Sequence, residues 1–398
     1  MAVLLAIIAL VPAACSTDSG GGDGGSPTSA ASSTPSMAPH IKITTTPKDG
    51  AAHVPIGIGQ VRATVQDGTL TTVTLTDQNN GKRVPGAISS DRTSWQAKEK
   101  LQRGTPYTLT AVAKDRDGKS ATKVARFTTA SAKDSAIAFF TPEDKSTVGV
   151  GMEVSFKIDK PVRNEKAVQS AISVVSSTGQ QVVGHWFGNQ RLDFRPAHYW
   201  KPGSTVTVGL HLAGVEVSPG VFGVQDKTFS FTVGRTQIST VDAAEQSMAV
   251  VRDGSLLKII PISSGSPAHG TYNGTMVISE KYQQTKMDST TVGLGDEYNI
   301  PDVPHAQRLT ASGTFVHGNY WAAPGVFGSQ PTSHGCIGMQ DAQGGHDSST
   351  NGAWFYDNSL IGDVVIVKNS VGGGTVAPDN GLNGWNMDWN QWKAGSAL

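Results

Sequence analysis

Short runs in which apolar and polar residues alternate recur through most of the chain, as in Tyr107-Thr-Leu-Thr-Ala-Val112 and Thr205-Val-Thr-Val-Gly-Leu210. A period of two sends successive side chains to opposite faces, so these runs predict half-buried strands. Further along, Met248 to Val251, the turn Arg252-Asp253-Gly254 and Ser255 to Ile262 predict a hairpin, because Asp-Gly suits a tight two-residue turn. Gly274 to Tyr282, Gly313 to His317 and Asp363 to Val371 predict more strands, and Ala353 to Asn358 one short helix. Near the end, Trp385, Trp389 and Trp392 fall four and three residues apart, which predicts one face of a helix packing on a neighbouring domain.

The pattern also repeats on a longer scale. Pro47 corresponds to Pro142, Gly104 to Gly203 and Phe127 to Phe231, at spacings of about 100 residues, the size of an immunoglobulin-like sandwich. No cysteine pair lies in either copy, so an antibody-type disulfide is excluded. The predicted fold class is mostly β: two immunoglobulin-like modules (41–130 and 131–235), a β-rich third domain (236–375) and a short helical, Trp-rich tail (376–398). His53, His185, His198 and His211 are scattered through the modules and predict structural or exposed histidines. Trp186, Tyr199 and Trp200 read as core residues, with a glycan-stacking surface as the alternative.

Composition changes the picture mainly at the N-terminus. Ala2 to Val11 is apolar but shorter than the roughly 20 residues a membrane helix needs, which suits a signal peptide. Ala13 and Ala14 precede Cys15 as in a lipobox, predicting a lipidated cysteine at the end of a leader spanning 1–15. Residues 16–40 are nearly all Gly, Ser, Thr, Pro and Ala, a composition that cannot offset its ordering entropy and predicts a tether. The expected location is the outer face of the cell membrane, lipid-anchored and reaching into the wall. Lys and Arg number 32 and Asp and Glu 32, so no basic field exists to attract nucleic acid.

The candidate chemistry sits in Pro331-Thr-Ser-His-Gly-Cys-Ile-Gly-Met339. With Cys15 lipidated, Cys336 has no partner in its own chain, and an unpaired thiol in an exported protein points to a reactive one. A thiol attacks as thiolate, so it needs an imidazole within reach to take its proton and later return it to a leaving amine. His317 and His334 are the candidates. Residues two apart in a tight turn do not readily face each other, which favours His317 as base and leaves His334 to orient substrate or brace the loop. Gly335 allows unusual dihedrals beside the nucleophile, amides near Gly335 and Cys336 are candidate oxyanion donors, and Ser333 is placed to bond within the loop. A metal site would have to draw on His317, His334, Cys336 and His346, but neither a CxxC nor an HxxxH spacing occurs; no metal and no cofactor is expected.

The stretch HGNYWAAPGVFGSQPTSHGCIGM closely resembles the signature of the L,D-transpeptidases, or YkuD domains: a histidine, a spacer (here residues 318–332), then Ser or Thr followed by His-Gly-Cys. MDSTT, GTFVHG, WFYDNS, GDVVIVKNSVGGG and GWNMDWNQW extend the likeness over 236–398 toward actinobacterial members, which also carry a lipobox, two immunoglobulin-like modules and a Trp-rich tail. The resemblance implies Cys336 as nucleophile and His317 as general base, with the Gly318 carbonyl holding the imidazole and His334, Gly335 and Ser333 completing the loop. It implies a donor pocket lined by Tyr298 and Met287, and Trp321 at its mouth or packed nearby. The implied reaction is acyl transfer on peptidoglycan. The thiolate attacks the third stem residue and expels the terminal D-alanine, and an amine of a neighbouring stem resolves the thioester into a 3→3 cross-link. Resolution by water would make the protein an L,D-carboxypeptidase, and loss of catalysis would leave a wall-binding lipoprotein. Carbapenems are implied as covalent inhibitors. The resemblance breaks at Gly338, where the family carries an asparagine, and in the longer insert DAQGGHDSSTNG.

Overall fold

In the strand Pro106–Lys114, Tyr107, Leu109, Ala111 and Ala113 are buried while the residues between them are half-exposed, so the alternation read from the chain is the burial pattern itself. The computed structural model describes residues 40–398; Cys15, the leader and all but the last residue of the tether lie outside the described residues.

Each module is built on a pair of four-stranded sheets, and the second adds a small three-stranded sheet of Ser135–Ala136, Glu216–Ser218 and Val221–Gly223. In the first, Lys42–Thr46, Arg62–Gln66, Ser94–Ala97 and Gly86–Ile88 face Ala51–Val54, Ser120–Thr129, Pro106–Lys114 and Thr69–Asp77 across a core of Leu70, Leu75, Trp95, Leu109 and Phe127. The second repeats the topology. Ala51–Val54 runs parallel to the closing strand Ser120–Thr129 in the first, and Thr147–Val148 runs parallel to Asp226–Val233 in the second. Trp186 and Trp200 are buried in the second core, and Tyr199 packs edge-on against Trp385, so none of the three presents a free ring to a glycan.

The third domain is built on nine strands: β1 (Gln237–Asp242), β2 (Ser247–Arg252), β3 (Ser255–Ser263), β4 (Gly274–Val277), β5 (Glu280–Asp288), β6 (Asn299–Arg308), β7 (Phe315–Asn319), β8 (Ile337–Gln340) and β9 (Val364–Lys368). Their order in the sheet is β4-β9-β1-β2-β3-β8-β7-β6-β5. The β2–β3 turn has Asp253 at φ 49° and Gly254 at φ 80°, the two positive angles that an Asp-Gly hairpin supplies. Val250, Ile260, Ile262, Val316, Ile337, Met339 and Phe355 fill the core beneath the sheet, Phe355 coming from the helix Asn351–Asp357.

Two expectations are corrected. Gly274 to Tyr282 is not one strand: β4 and β5 lie at opposite edges of the sheet. The chain crosses between them at Ile278 and Ser279, whose N–H groups donate to Asp363 O and Arg308 O, on opposite sides of the gap. The three tail tryptophans do not share one helix either. Trp385 sits in a single turn, Met387 is extended, and Asp388 caps a new helix, Trp389–Ala394, through a capping box with Gln391. What the tryptophans share is a target. The buried Arg195 guanidinium of the second module lies 4.6, 5.5 and 4.3 Å from the rings of Trp385, Trp389 and Trp392. It also donates to Gly384 O and Met387 O. Trp385 Nε1 donates to Gly151 O and Trp392 Nε1 to Val183 O, both in the second module.

Candidate active site

Val316, Ile337 and Met339 point into the core, so alternation sends His317, Cys336 and Gly338 to the opposite face. β7 and β8 pair in parallel with His317 beside Gly338, which places Cys336 diagonally across from the imidazole. Gly338 puts no side chain between them. Asn319 of the neighbouring strand lies beside it: its Nδ2 is 3.4 Å from the position a Cβ on residue 338 would take.

The loop that carries Cys336 is held from outside and from within. Ser333 pairs with Gly265, Ser266 N–H donates to Ser333 O (2.8 Å) and Ser333 N–H to Ser264 O (3.0 Å). Ser333 Oγ donates to Cys336 O (2.5 Å) and accepts from Gly335 N–H (3.2 Å). Gly335 has φ 108°, a region closed to other residues, although a Cβ there would meet nothing nearer than 3.8 Å; the backbone angle, not crowding, demands glycine. Because Ser333 engages the Gly335 N–H, that amide is not the ready oxyanion donor the chain suggests.

His317 is buried, and its Nδ1 donates to Gly318 O (2.8 Å), which leaves Nε2 as the basic nitrogen. Burial lowers its pKa; the Gly318 carbonyl and the Asp341 carboxylate act against that. Trp321 stacks on the ring at 5.7 Å and is 43% exposed, so it forms a wall of the mouth rather than part of a core. The Cys336 thiol donates to Gly313 O (3.7 Å) and accepts from Phe315 N–H (3.4 Å). Burial pushes the thiol up to about 11, eased slightly by Phe315 N–H and by Arg308. The whole residue is only half-buried, yet the sulfur itself is enclosed by these partners, so the upward direction stands. At rest the protein therefore holds a neutral thiol and a neutral imidazole on one face, not a formed ion pair.

Cys336, His317, Ser333, His334, Tyr298, Met287 and Trp321 all border one cavity of about 260 Å³, joined by residues the chain had not marked: Ile300, Asn319, Ala322 and Thr332. Gly318 contributes its carbonyl from behind. Burial, then Cys336 and the acidic neighbours Glu297 and Asp288, push Tyr298 up to about 12, so its hydroxyl keeps its proton and remains a donor. Tyr298 and His334, rings 5.1 Å apart, also border a second cavity of about 270 Å³ that contains His269 and Gly313.

Behind His317 lies a pair that no local pattern announces. Asp341, its carboxylate fully buried, accepts from Ala342 N–H (2.8 Å) and Thr350 Oγ1 (2.9 Å) and pairs with His305 Nδ1 (2.7 Å), the imidazole arriving from β6 and the carboxylate from the insert. Of the metal-type residues considered from the sequence, His317, Cys336 and His346 do not gather. Among the described residues the group that does is His269, Glu297 and His334.

Residues 236–367 match the L,D-transpeptidase catalytic domain family, and residues 51–216 a bacterial Ig domain family. L,D-transpeptidase 2 of Mycobacterium tuberculosis (strain CDC 1551 / Oshkosh) is 34% identical over 361 residues, covering 89% of this chain and 85% of the relative. L,D-transpeptidase 5 of Mycobacterium tuberculosis (strain ATCC 25618 / H37Rv) is 31% identical over 367 residues, 90% of this chain and 78% of the relative. A solved LD transpeptidase in complex with imipenem is 27% identical and superposes on 58% of this chain and 98% of its own, with a TM-score of 0.48. The chain belongs to the L,D-transpeptidase family.

Proposed function

We propose that the protein is a peptidoglycan L,D-transpeptidase that forms 3→3 cross-links through a thioester on Cys336. The observation that carries this reading is the meeting of Cys336, His317, Ser333, His334 and Tyr298 around one cavity. The thiol begins on Gly313 O and must turn about its Cα–Cβ bond to reach His317 Nε2. As it attacks the carbonyl of the third stem residue, its proton passes to Nε2, general-base catalysis worth typically 10²–10⁴-fold. The new C–S bond forms as the carbonyl opens to an oxyanion, to which the Tyr298 hydroxyl, protonated and bordering the same cavity, would donate. Collapse breaks the C–N bond, and the imidazolium returns its proton to the departing D-alanine amine. An amine from a neighbouring stem then attacks the thioester, gives its proton to Nε2, and releases the thiol with the new amide. The Cys15 lipid and the tether would hold this chemistry at the outer membrane face, where stem peptides are found.

The test is a purified disaccharide-tetrapeptide incubated with the protein and read by mass spectrometry. The reading expects dimers that have lost one terminal D-alanine, and none with Cys336→Ala. Tripeptide alone, with no dimer at high substrate, would replace it with the carboxypeptidase reaction.

A further inference from the structure

We propose that His269, Glu297 and His334 form a binding site for one zinc-class divalent cation, which ties the nucleophile loop to two neighbouring segments. The three side chains come from three separate stretches of chain and converge through single atoms: Glu297 Oε2 lies 2.9 Å from His334 Nε2 and 3.5 Å from His269 Nε2. A tetrahedral zinc with bonds of about 2.0 Å holds its ligands roughly 3.3 Å apart. The two separations from Glu297 bracket that value, and all three ligand atoms lie within 4.8 Å of one another, so the histidine nitrogens need to close by at most about 1.5 Å to admit the ion.

The donor set of two imidazoles and one carboxylate is the set that borderline divalent cations select, and three protein ligands leave a fourth position open. The backbone already fixes the ligands. The His269 N–H donates to Ser266 O (2.9 Å), and Ser266 N–H donates to Ser333 O (2.8 Å), so the two histidine-bearing loops are joined before any ion arrives. Next to Glu297, Tyr298 N–H donates to Ser289 Oγ (3.0 Å). The histidine rings stand 5.0 Å apart and tilted by 42° rather than stacked flat. All three side chains are partly exposed, which gives an ion a way in.

Position gives the site a consequence. His334 precedes the nucleophile by two residues and borders both cavities, whereas His269 borders only the second. An ion shared between them would pin the wall that separates the two spaces. The plain alternative is that the Glu297 carboxylate only accepts hydrogen bonds from the two imidazoles.

The probe is zinc chloride titrated into the full chain, read by calorimetry and by metal content after dialysis, so the outcome does not depend on any acyl-transfer activity. The expected result is one zinc per chain in the wild type and in Cys336→Ala alike, and a loss of roughly tenfold or more in affinity in Glu297→Gln and in His269→Ala. The substituted side chains are partly exposed, and unchanged melting of the zinc-free variants would show that they fold. Zinc binding that survives both Glu297→Gln and His269→Ala, or that disappears in Cys336→Ala, would overturn the proposal by placing the ion elsewhere or on the thiol.

Discussion

A side chain at residue 318 would collide with Asp341, whose Oδ2 lies 2.0 Å from where a Cβ would stand, and Gly352 is confined by the same oxygen at 2.1 Å. The carboxylate thus sits directly behind the residue whose carbonyl holds the His317 imidazole. Its negative charge raises the His317 pKa against the lowering effect of burial. Asp341→Asn removes that charge and keeps the shape. The base form of His317 then persists to lower pH, so the acid limb of the rate profile should move down in pH. Stability should fall by about 1–2 kcal/mol, because the buried hydrogen bond from His305 Nδ1 exchanges a charged acceptor for a neutral one. A rate profile measured from pH 4 to 8 checks this: an unmoved limb, with stability reduced all the same, would make Asp341 a packing residue only. Asp341 is a positioning residue in this account, since it acts on the reaction through His317.

At the scale of elements, the Cys336 loop depends on one backbone angle and the sheet on a crossing. Gly335→Ala meets no steric block, with its nearest neighbours at 3.8 and 3.9 Å, but forces a residue with a Cβ to φ 108°. Strain of about 1–3 kcal/mol is expected to displace the loop rather than unfold the domain. Acyl transfer should drop by an order of magnitude or more while the melting temperature changes little; a fully active variant would show that the angle is not needed.

What could be read along the chain follows from range. The Ser-His-Gly-Cys loop, the Asp-Gly hairpin and the alternating strands are each specified by neighbours in sequence, so each was legible. The break at Ile278 and Ser279 was not, because it is imposed by Asp363 O and Arg308 O from distant segments. The His305–Asp341 pair spans 36 residues and leaves no periodic trace. The helical spacing of Trp385, Trp389 and Trp392 misled for the opposite reason: real convergence on Arg195 arises from a turn and a separate helix, not from one continuous face.

For the whole molecule, the joint between the second module and the tail carries a buried charge problem. Glu153 is fully buried, and among the described residues neither of its carboxyl oxygens has a hydrogen bond of good geometry, the Gly384 backbone being its nearest weak support. Burial above all, then Asp193, hold its pKa well above the usual carboxylate range, while Arg191 and Arg195 pull the other way. A carboxyl whose pKa is raised on folding keeps its proton in the folded state after the unfolded chain has lost it. Its contribution to stability is therefore present below the ordinary value of 4.5 and is lost as pH rises above it. Glu153→Gln removes that dependence, so its melting temperature relative to wild type should climb as pH rises from 5 to 8. The ceiling on that effect is about 1.4 kcal/mol per pH unit. A constant difference between the two proteins across that range would mean that Glu153 is ionised in the fold and held by Arg195.

The central claim is that His317 turns the neutral Cys336 thiol into a nucleophile that holds an acyl group. A carbapenem tests it most directly, because its strained lactam presents an acyl carbon to the same thiol and the product can be weighed. Intact-mass analysis of the wild-type chain should show one adduct, localised by digestion to the peptide containing Cys336. Cys336→Ala should show none, and His317→Ala should form it slower by roughly 10²–10⁴-fold. An adduct that persists in Cys336→Ala, or one that forms at the wild-type rate without His317, would contradict the account.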